Sequence, residues 1–286
     1  MNHYLIYQAY GKAEIFHEAI YSIHSLLNKQ SSLDYQIIVV TDNSDFFKQY
    51  LNSNTIYHEV SKEQIKLWRG SIDFVHRVKI EVLQMLSKQY SGSFLYVDTD
   101  IYFLNEISSL FQLIDQGKSI MCFRENAINE GKNILYKRLN AFVKSKKNDT
   151  VITPETTMFN AGVLGFNSSF FPVLESVKLL TDQLYQKHPT FIIEQLAFSY
   201  YLQQHGNVIE TEGKWVFHYW NFKEFRQVLA HLFEKNTQGD ELFASFNKNI
   251  VTEMIKPKRA YESLPSWKRK IKKILHNTWV MPEIKK

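Results

Sequence analysis

Phe94-Leu95-Tyr96-Val97-Asp98-Thr99-Asp100-Ile101-Tyr102-Phe103 sets two carboxylates, one residue apart, in a run that is otherwise apolar and aromatic. A short apolar run of this kind predicts a buried strand ending at Val97. Taking an unpaired carboxylate into such surroundings is costly, so each aspartate must neutralise or find a cation. Two readings meet that demand. In one, Asp98 and Asp100 grip a divalent ion beyond the strand end. Their oxygens suit hard ions such as Mg2+ or Mn2+, which keep positions open for water and for diphosphate oxygens. In the other, the pair belongs to a strand-end turn and accepts backbone N–H bonds.

The flanking sequence decides the fold around that strand. His3 to Tyr7 reads as an apolar strand followed by Gln8-Ala9-Tyr10-Gly11, after which Ile15, Ala19, Ile23, Leu26 and Leu27 share one helix face. Gln36 to Val40 is a β-branched run closed by Thr41-Asp42-Asn43-Ser44, which supplies a turn and an N-cap for the next helix. An amphipathic helix is expected from near Ile72 to Lys88, with Val75, Val78, Ile80, Leu83 and Leu86 available to the core. This alternation predicts an α/β fold with a mostly parallel sheet flanked by helices on both sides. Ligands of such sheets sit beyond the carboxyl ends of the strands, so Gln8 to Gly11, Asp42 and Asp98 to Asp100 are expected to face one crevice.

With 286 residues and 44% hydrophobic content, the chain can bury one large core. The single cysteine, Cys122, excludes an intrachain disulfide and any cysteine-based zinc cluster. No basic-then-apolar leader opens the sequence and no run approaches a membrane span, which reads as a soluble, cytoplasmic chain. The net charge is +5, but the segment Lys256 to Lys273 alone carries +7, leaving −2 for the rest. A near-neutral body argues against a nucleic-acid partner, whose groove would spread positive charge over a folded face. Residues 1–255 therefore read as the folded domain and 256–286 as a basic, helical C-terminal extension. Trp267, Ile271, Ile274, Leu275 and Trp279 follow helical spacing there, with Lys268, Arg269, Lys270, Lys272 and Lys273 between them. That pattern suits a helix lying on an anionic membrane surface, peripheral at the inner face, or equally one docking its apolar stripe on the body.

Three further segments carry chemistry. Met158 to Asn167 joins a small-residue turn, Asn160-Ala161-Gly162, to an apolar strand, so that backbone and a short amide can approach a ligand. Glu194-Gln195 opens a helix. His218-Tyr219-Trp220-Asn221-Phe222-Lys223 ends a strand-like run; its imidazole could ligate a metal and its lysine could meet a phosphate. Between them, Asn129 to Thr157 is polar, with a helix expected over Ile134 to Val143 and an exposed loop after it.

Taken in chain order, the Asp-x-Asp, the Phe-Asn-Ala-Gly-Val segment, the Glu-Gln pair and the late histidine resemble the GT-A nucleotide-sugar glycosyltransferases, especially the retaining family eight type. The resemblance covers residues 1–225 in element order and does not reach the tail. It implies Mn2+ or Mg2+ held by Asp98, Asp100 and His218 against a nucleotide-sugar diphosphate. It further implies that Gln8, Ala9 and Tyr10 meet base and ribose, with Asp42 at the same crevice. Arg77 or Lys79 would contact diphosphate or sugar, Asn160 and Gly162 would line the donor-sugar pocket, and Lys223 would meet phosphate. Glu194 and Gln195 would sit near the anomeric carbon. Two departures stand out: Glu194 replaces the aspartate common in that family, and the segment after His218 lacks the family's glycine and Pro-Trp. A glycan or lipid-linked acceptor follows from the same resemblance. A sugar-phosphate nucleotidyltransferase shares the sheet plan, but Gln8 to Lys12 is poor in the glycine such enzymes carry. A non-catalytic nucleotide-sugar-binding scaffold would be expected to lack metal ligands that this chain has.

Overall fold

The computed structural model describes residues 2–29, 33–51, 54–235, 250–275 and 278–281. Its central sheet begins with four parallel strands, β1 (His3–Ala9), β2 (Gln36–Thr41), β3 (Thr55–Glu59) and β4 (Ser93–Val97), in the spatial order β4-β1-β2-β3. Beyond β4 lie β9 (Val163–Asn167), β6 (Ser119–Met121) and β10 (Val208–Glu210). Of these, β9 runs antiparallel to both neighbours, while β10 and β6 are parallel. The sheet is thus mostly parallel, as expected, with one reversed strand in the middle. Two short ribbons sit at its carboxyl edge, β5 (Ile101–Phe103) with β11 (Val216–His218), and β7 (Arg124–Ala127) with β8 (Thr157–Phe159).

Both faces of the sheet are covered, which is why its strands read as nearly continuous apolar runs. Leu5, Tyr7 and Ala9 of β1 enter one core layer, while Tyr4 and Ile6 enter the other. The first layer packs under α1 (Ala13–Leu27), α5 (Ser108–Asp115) and α9 (Phe225–Lys235), and the second under α4 (Arg77–Ser87), α6 (Ile134–Val143), α7 (Val173–Lys187) and α8 (Ile193–His205). The short α2 (Ser44–Lys48) is capped by Asn43, whose side chain accepts the Phe46 N–H. The helix expected over Ile134 to Val143 has those bounds, with Asn133 as its cap.

α4 departs from expectation. It starts at Arg77 rather than near Ile72, because Gly70 at φ +67° and Asp73 at φ +50° put left-handed residues where a helix would have to run. After α3 (Lys62–Trp68) the chain therefore turns, and Val75 is left 47% exposed instead of joining the core.

The extension divides in two. Just before it, Val251 of α10 (Ile250–Met254) and Ile255 are buried, and its first helix, α11 (Lys256–Glu262), is fastened to the body. Lys258 donates to the Asn221 carbonyl and to Glu224, and its ammonium lies 5.6 Å from the Phe222 ring and 5.5 Å from the Trp279 ring. α12 (Ser266–Ile274) behaves differently: Trp267, Ile271, Ile274 and Leu275 are all exposed. Trp279, expected on that stripe, instead packs 6.1 Å from Phe222, drawn onto the body by the same ammonium and ring. No helix among the described residues is long and apolar enough to cross a membrane.

Candidate functional site

The sheet's connectivity gathers residues from four parts of the chain at the carboxyl end of β4. Asp98 follows that strand directly, and its N–H donates to the Gly162 carbonyl at 2.8 Å because β9 pairs antiparallel, Val97 opposite Val163. Asp100 precedes β5, whose register with β11 sets Ile101 opposite His218. The Tyr219 N–H accordingly donates to the Asp100 carbonyl at 3.1 Å. One ligand atom each from Asp98, Asp100 and His218 lies within 4.8 Å of the others.

His218 is oriented for ligation. Its Nδ1–H is directed at Asn160 Oδ1, 3.0 Å away, which leaves Nε2 facing Asp100 Oδ1 at 3.1 Å. Holding one ring nitrogen in this way fixes the tautomer of a metal-binding histidine. Asn160 Oδ1 also accepts the Gly162 N–H at 2.9 Å. A Cβ on Gly162 would fall 2.4 Å from His218 Cε1, so only glycine lets the ring seat there. Asn160 and Gly162 thus lie behind His218 rather than on the wall of the cleft. Two carboxylates and an oriented imidazole are a donor set that fits Mn2+ or Mg2+.

The charges around the ligands are matched. Lys223 donates to Asp100 Oδ2 at 2.6 Å. Burial works to raise the Asp100 pKa, but His218 and Lys223 outweigh it and hold the carboxyl well below the usual carboxylate range. Burial alone would lower the His218 pKa, yet Asp100, Asp98 and Glu212 raise it. Lys79, buried on α4, sits 3.3 Å from Asp98 and 3.2 Å from Glu194 and donates to the Ala161 carbonyl at 2.9 Å. Glu194 Oε1 accepts no directed hydrogen bond, and burial pushes its pKa up to about 7 against the pull of Lys79.

A cleft of about 460 Å3 opens over Asp98, Thr99 and Asp100. Gln8, Tyr10 and Gly11 wall it from the end of β1, with Lys12 and Ile15 beside them; Val75, His76 and Lys79 come from the turn before α4 and from α4 itself, Lys223 from the turn before α9 and Arg226 from that helix's first turn. Gln8 donates to the Tyr10 hydroxyl at 3.2 Å. Asp42 braces the cleft without lining it, both its oxygens accepting the Gly11 N–H at 3.1 Å. Ala9 is buried and does not line the cleft.

Two expected contacts go elsewhere. Arg77 pairs with Asp182 and Glu81 at 2.8 and 2.6 Å and donates to the Trp68 carbonyl, so it joins α4 to α7; of the two cations proposed on that helix, Lys79 is the one at the cleft. Gln195 donates to Glu125 at 3.1 Å, and Glu194 reaches the cleft only through Lys79. Conversely, Lys12, His76, Thr99 and Arg226 line the cleft without having been read from the sequence. Arg226 follows Lys223 by three residues, a spacing that one turn closes through the Arg226 N–H on the Lys223 carbonyl, which is the signal that could have found it.

No family model matches the chain, and no curated protein matches its sequence. Solved structures do match. Mouse xyloside xylosyltransferase 1 in its apo form aligns over 80% of this chain and 92% of its own, at 12% identity and a TM-score of 0.50. The galactosyltransferase LgtC, in complex with donor and acceptor sugar analogs, aligns over 72% of each chain at 13% identity and a TM-score of 0.50. Both are glycosyltransferases, and what the chain shares with them is the GT-A fold.

Proposed function

We propose that this chain is a metal-dependent glycosyltransferase that moves a hexose from a nucleotide sugar, a UDP-sugar in the first instance, to a glycan or lipid-linked acceptor of the cell surface. The observation that carries the reading is the Asp98, Asp100 and His218 group opening onto a cleft walled by the end of β1. Breaking the glycosidic bond of a nucleotide sugar puts charge on the departing diphosphate. Bound Mn2+ or Mg2+ would supply Lewis-acid stabilisation of that charge. The chain's own residues orient the donor: Gln8 and Tyr10 flank base and ribose, and Lys79 and Lys223 offer ammonium groups to the phosphates. Among the described residues, Asp98 and Asp100 are the only carboxylates lining the cleft. That supports retention through same-face attack steered by the leaving diphosphate, with Glu194 positioning Lys79 rather than acting as nucleophile.

The reading extends to the tail. Five cations of α12, with no acidic residue among them, alternate with its exposed apolar stripe, a pattern that fits an anionic lipid surface near a lipid-linked acceptor.

Calorimetric titration of UDP in Mn2+, then in EDTA, tests the site. Binding is expected to need the metal and to vanish in Asp100→Ala. Binding of UDP that is indifferent to EDTA and to that substitution would sink the reading.

A further inference from the structure

Glu18 of α1 is a fully buried carboxylate for which metal and donor binding as described give no role. One guanidinium holds both its oxygens, Arg226 Nε on Oε1 and Nη2 on Oε2, each at 2.9 Å. Thr99, between the two metal-site aspartates, directs its hydroxyl to Glu18 Oε2 at 3.4 Å. Arg226 is also on the cleft wall, beside Lys223 and Asp100, with its side chain 26% exposed.

If Glu18 served stability alone, this pair would be a poor device, since apolar residues of similar volume commonly do as well or better than a buried ion pair. What the pair does provide is direction. A guanidinium carries five N–H donors in a rigid fork, and Glu18 takes two of them. Nη1 makes no hydrogen bond among the described residues, so its donors and the second N–H of Nη2 remain for a ligand. Because Glu18 neutralises the guanidinium, selectivity would come from the placement of these donors rather than from excess charge. The neighbouring ammonium of Lys223 is a point charge without such geometry.

We propose that Arg226, aligned by Glu18, is a phosphate-binding residue of the cleft, hydrogen-bonding oxygens of the donor's diphosphate next to the metal-site aspartates. The proposal rests on the reading of this cleft as a nucleotide-sugar site. Arg226 touches the ligand, and Glu18 is a positioning residue that acts through it.

The test uses the full chain and three probes: Mn2+ alone followed by electron paramagnetic resonance, and UDP or inorganic pyrophosphate with saturating Mn2+ followed by calorimetry. Arg226→Lys retains a cation for Glu18 but cannot reproduce the fork. It is expected to weaken UDP and pyrophosphate by about 10- to 100-fold, the range for charge-assisted hydrogen bonds, while Mn2+ affinity stays within about threefold. Glu18→Gln is expected to lose less, because the arginine remains but its alignment relaxes. Should Arg226→Gln fail to fold with Glu18 left unpaired, the lysine variant decides the question. Unchanged UDP and pyrophosphate binding in Arg226→Lys would overturn the proposal and leave the donor site standing. A parallel fall in Mn2+ affinity and thermal midpoint would also overturn it, since that marks a merely structural pair. Failure of the wild-type chain to bind either probe with Mn2+ would overturn the donor reading and this inference together.

Discussion

In the cleft, Lys79 stands against Asp98 and Glu194, Lys223 against Asp100, and Arg226 against Glu18. On α12, Lys268, Arg269, Lys270, Lys272 and Lys273 lie in sequence without a carboxylate, and among the described residues none of them forms an ion pair. The two regions hold similar numbers of cations and use them in opposite ways. Each cleft cation is tied to at least one buried carboxylate, Glu194, Asp100 or Glu18, which must be compensated, so the cation's position is fixed and it can recognise a ligand of defined shape. Where cations are exposed, compensation is left to solvent and salt, which suits a partner that is extended and charged rather than shaped. α11 marks the transition, with Lys258 already drawn into pairing with Glu224.

Removing a compensated cation should do the most damage. Lys79→Met leaves the buried Glu194 and the part-buried Asp98 without their ammonium and is expected to lower stability by about 3–5 kcal/mol in chemical denaturation, with loss of nucleotide binding. A loss below about 1 kcal/mol, the scale of exposed pairs, would erase the contrast between the two regions.

Glu194 sharpens it through pH. Its folded-state pKa of about 7 lies above the unfolded value of 4.5, so the folded protein holds a proton that the unfolded chain releases. That contribution is fully present below pH 4.5 and is lost as pH rises through about 7, roughly 3 kcal/mol in all. Glu194→Gln, which cannot titrate, should therefore gain on the wild type by that amount across this window. Parallel stability curves for the two proteins would show that Glu194 is not buried against Lys79 as described.

Gly162→Ala probes geometry without touching charge. The new Cβ would collide with His218, and Mn2+ affinity measured by electron paramagnetic resonance is expected to fall about 10- to 100-fold, as when a partner that orients a ligand is lost. The smallest effect on the cleft is expected from the tail. Replacing Lys270, Lys272 and Lys273 by Gln should leave UDP binding unchanged and weaken sedimentation with phosphatidylglycerol vesicles by about 1 kcal/mol per residue, most visibly at low salt. Vesicle binding that survives these changes and is insensitive to salt would remove the membrane from the tail's account.

Much of this was legible before the structure. Asp98 and Asp100 stood out because carboxylates at the end of an apolar run need a reason to be there, and the alternation of runs set their end of the sheet beside that of Gln8 to Gly11; His218 joined them only through the resemblance carried by the order of motifs. Asn160 and Gly162 were legible as a site turn, although their service to His218 was not, since it depends on β9 pairing with β4 while β11 pairs with β5. The choice between Arg77 and Lys79 was beyond the sequence. They point in different directions on α4, and the helix phase depends on a start at Arg77 that two left-handed residues impose. Glu194 and Gln195 are separated by the same kind of rotation, about 100° per residue, which sends one to Lys79 and the other to Glu125.

The chain's pattern alone determined the architecture and the separation of a near-neutral body from a basic tail. These follow from periodicity and composition, which are local or additive properties of the chain. Only the tertiary structure decided that Glu18 would meet Arg226 across 208 residues, that Trp279 would leave its helical stripe for Phe222, and that Lys223 would reach Asp100. Those pairings depend on which buried charge or ring lacks a partner once the sheet has formed, a condition that exists only in the folded molecule.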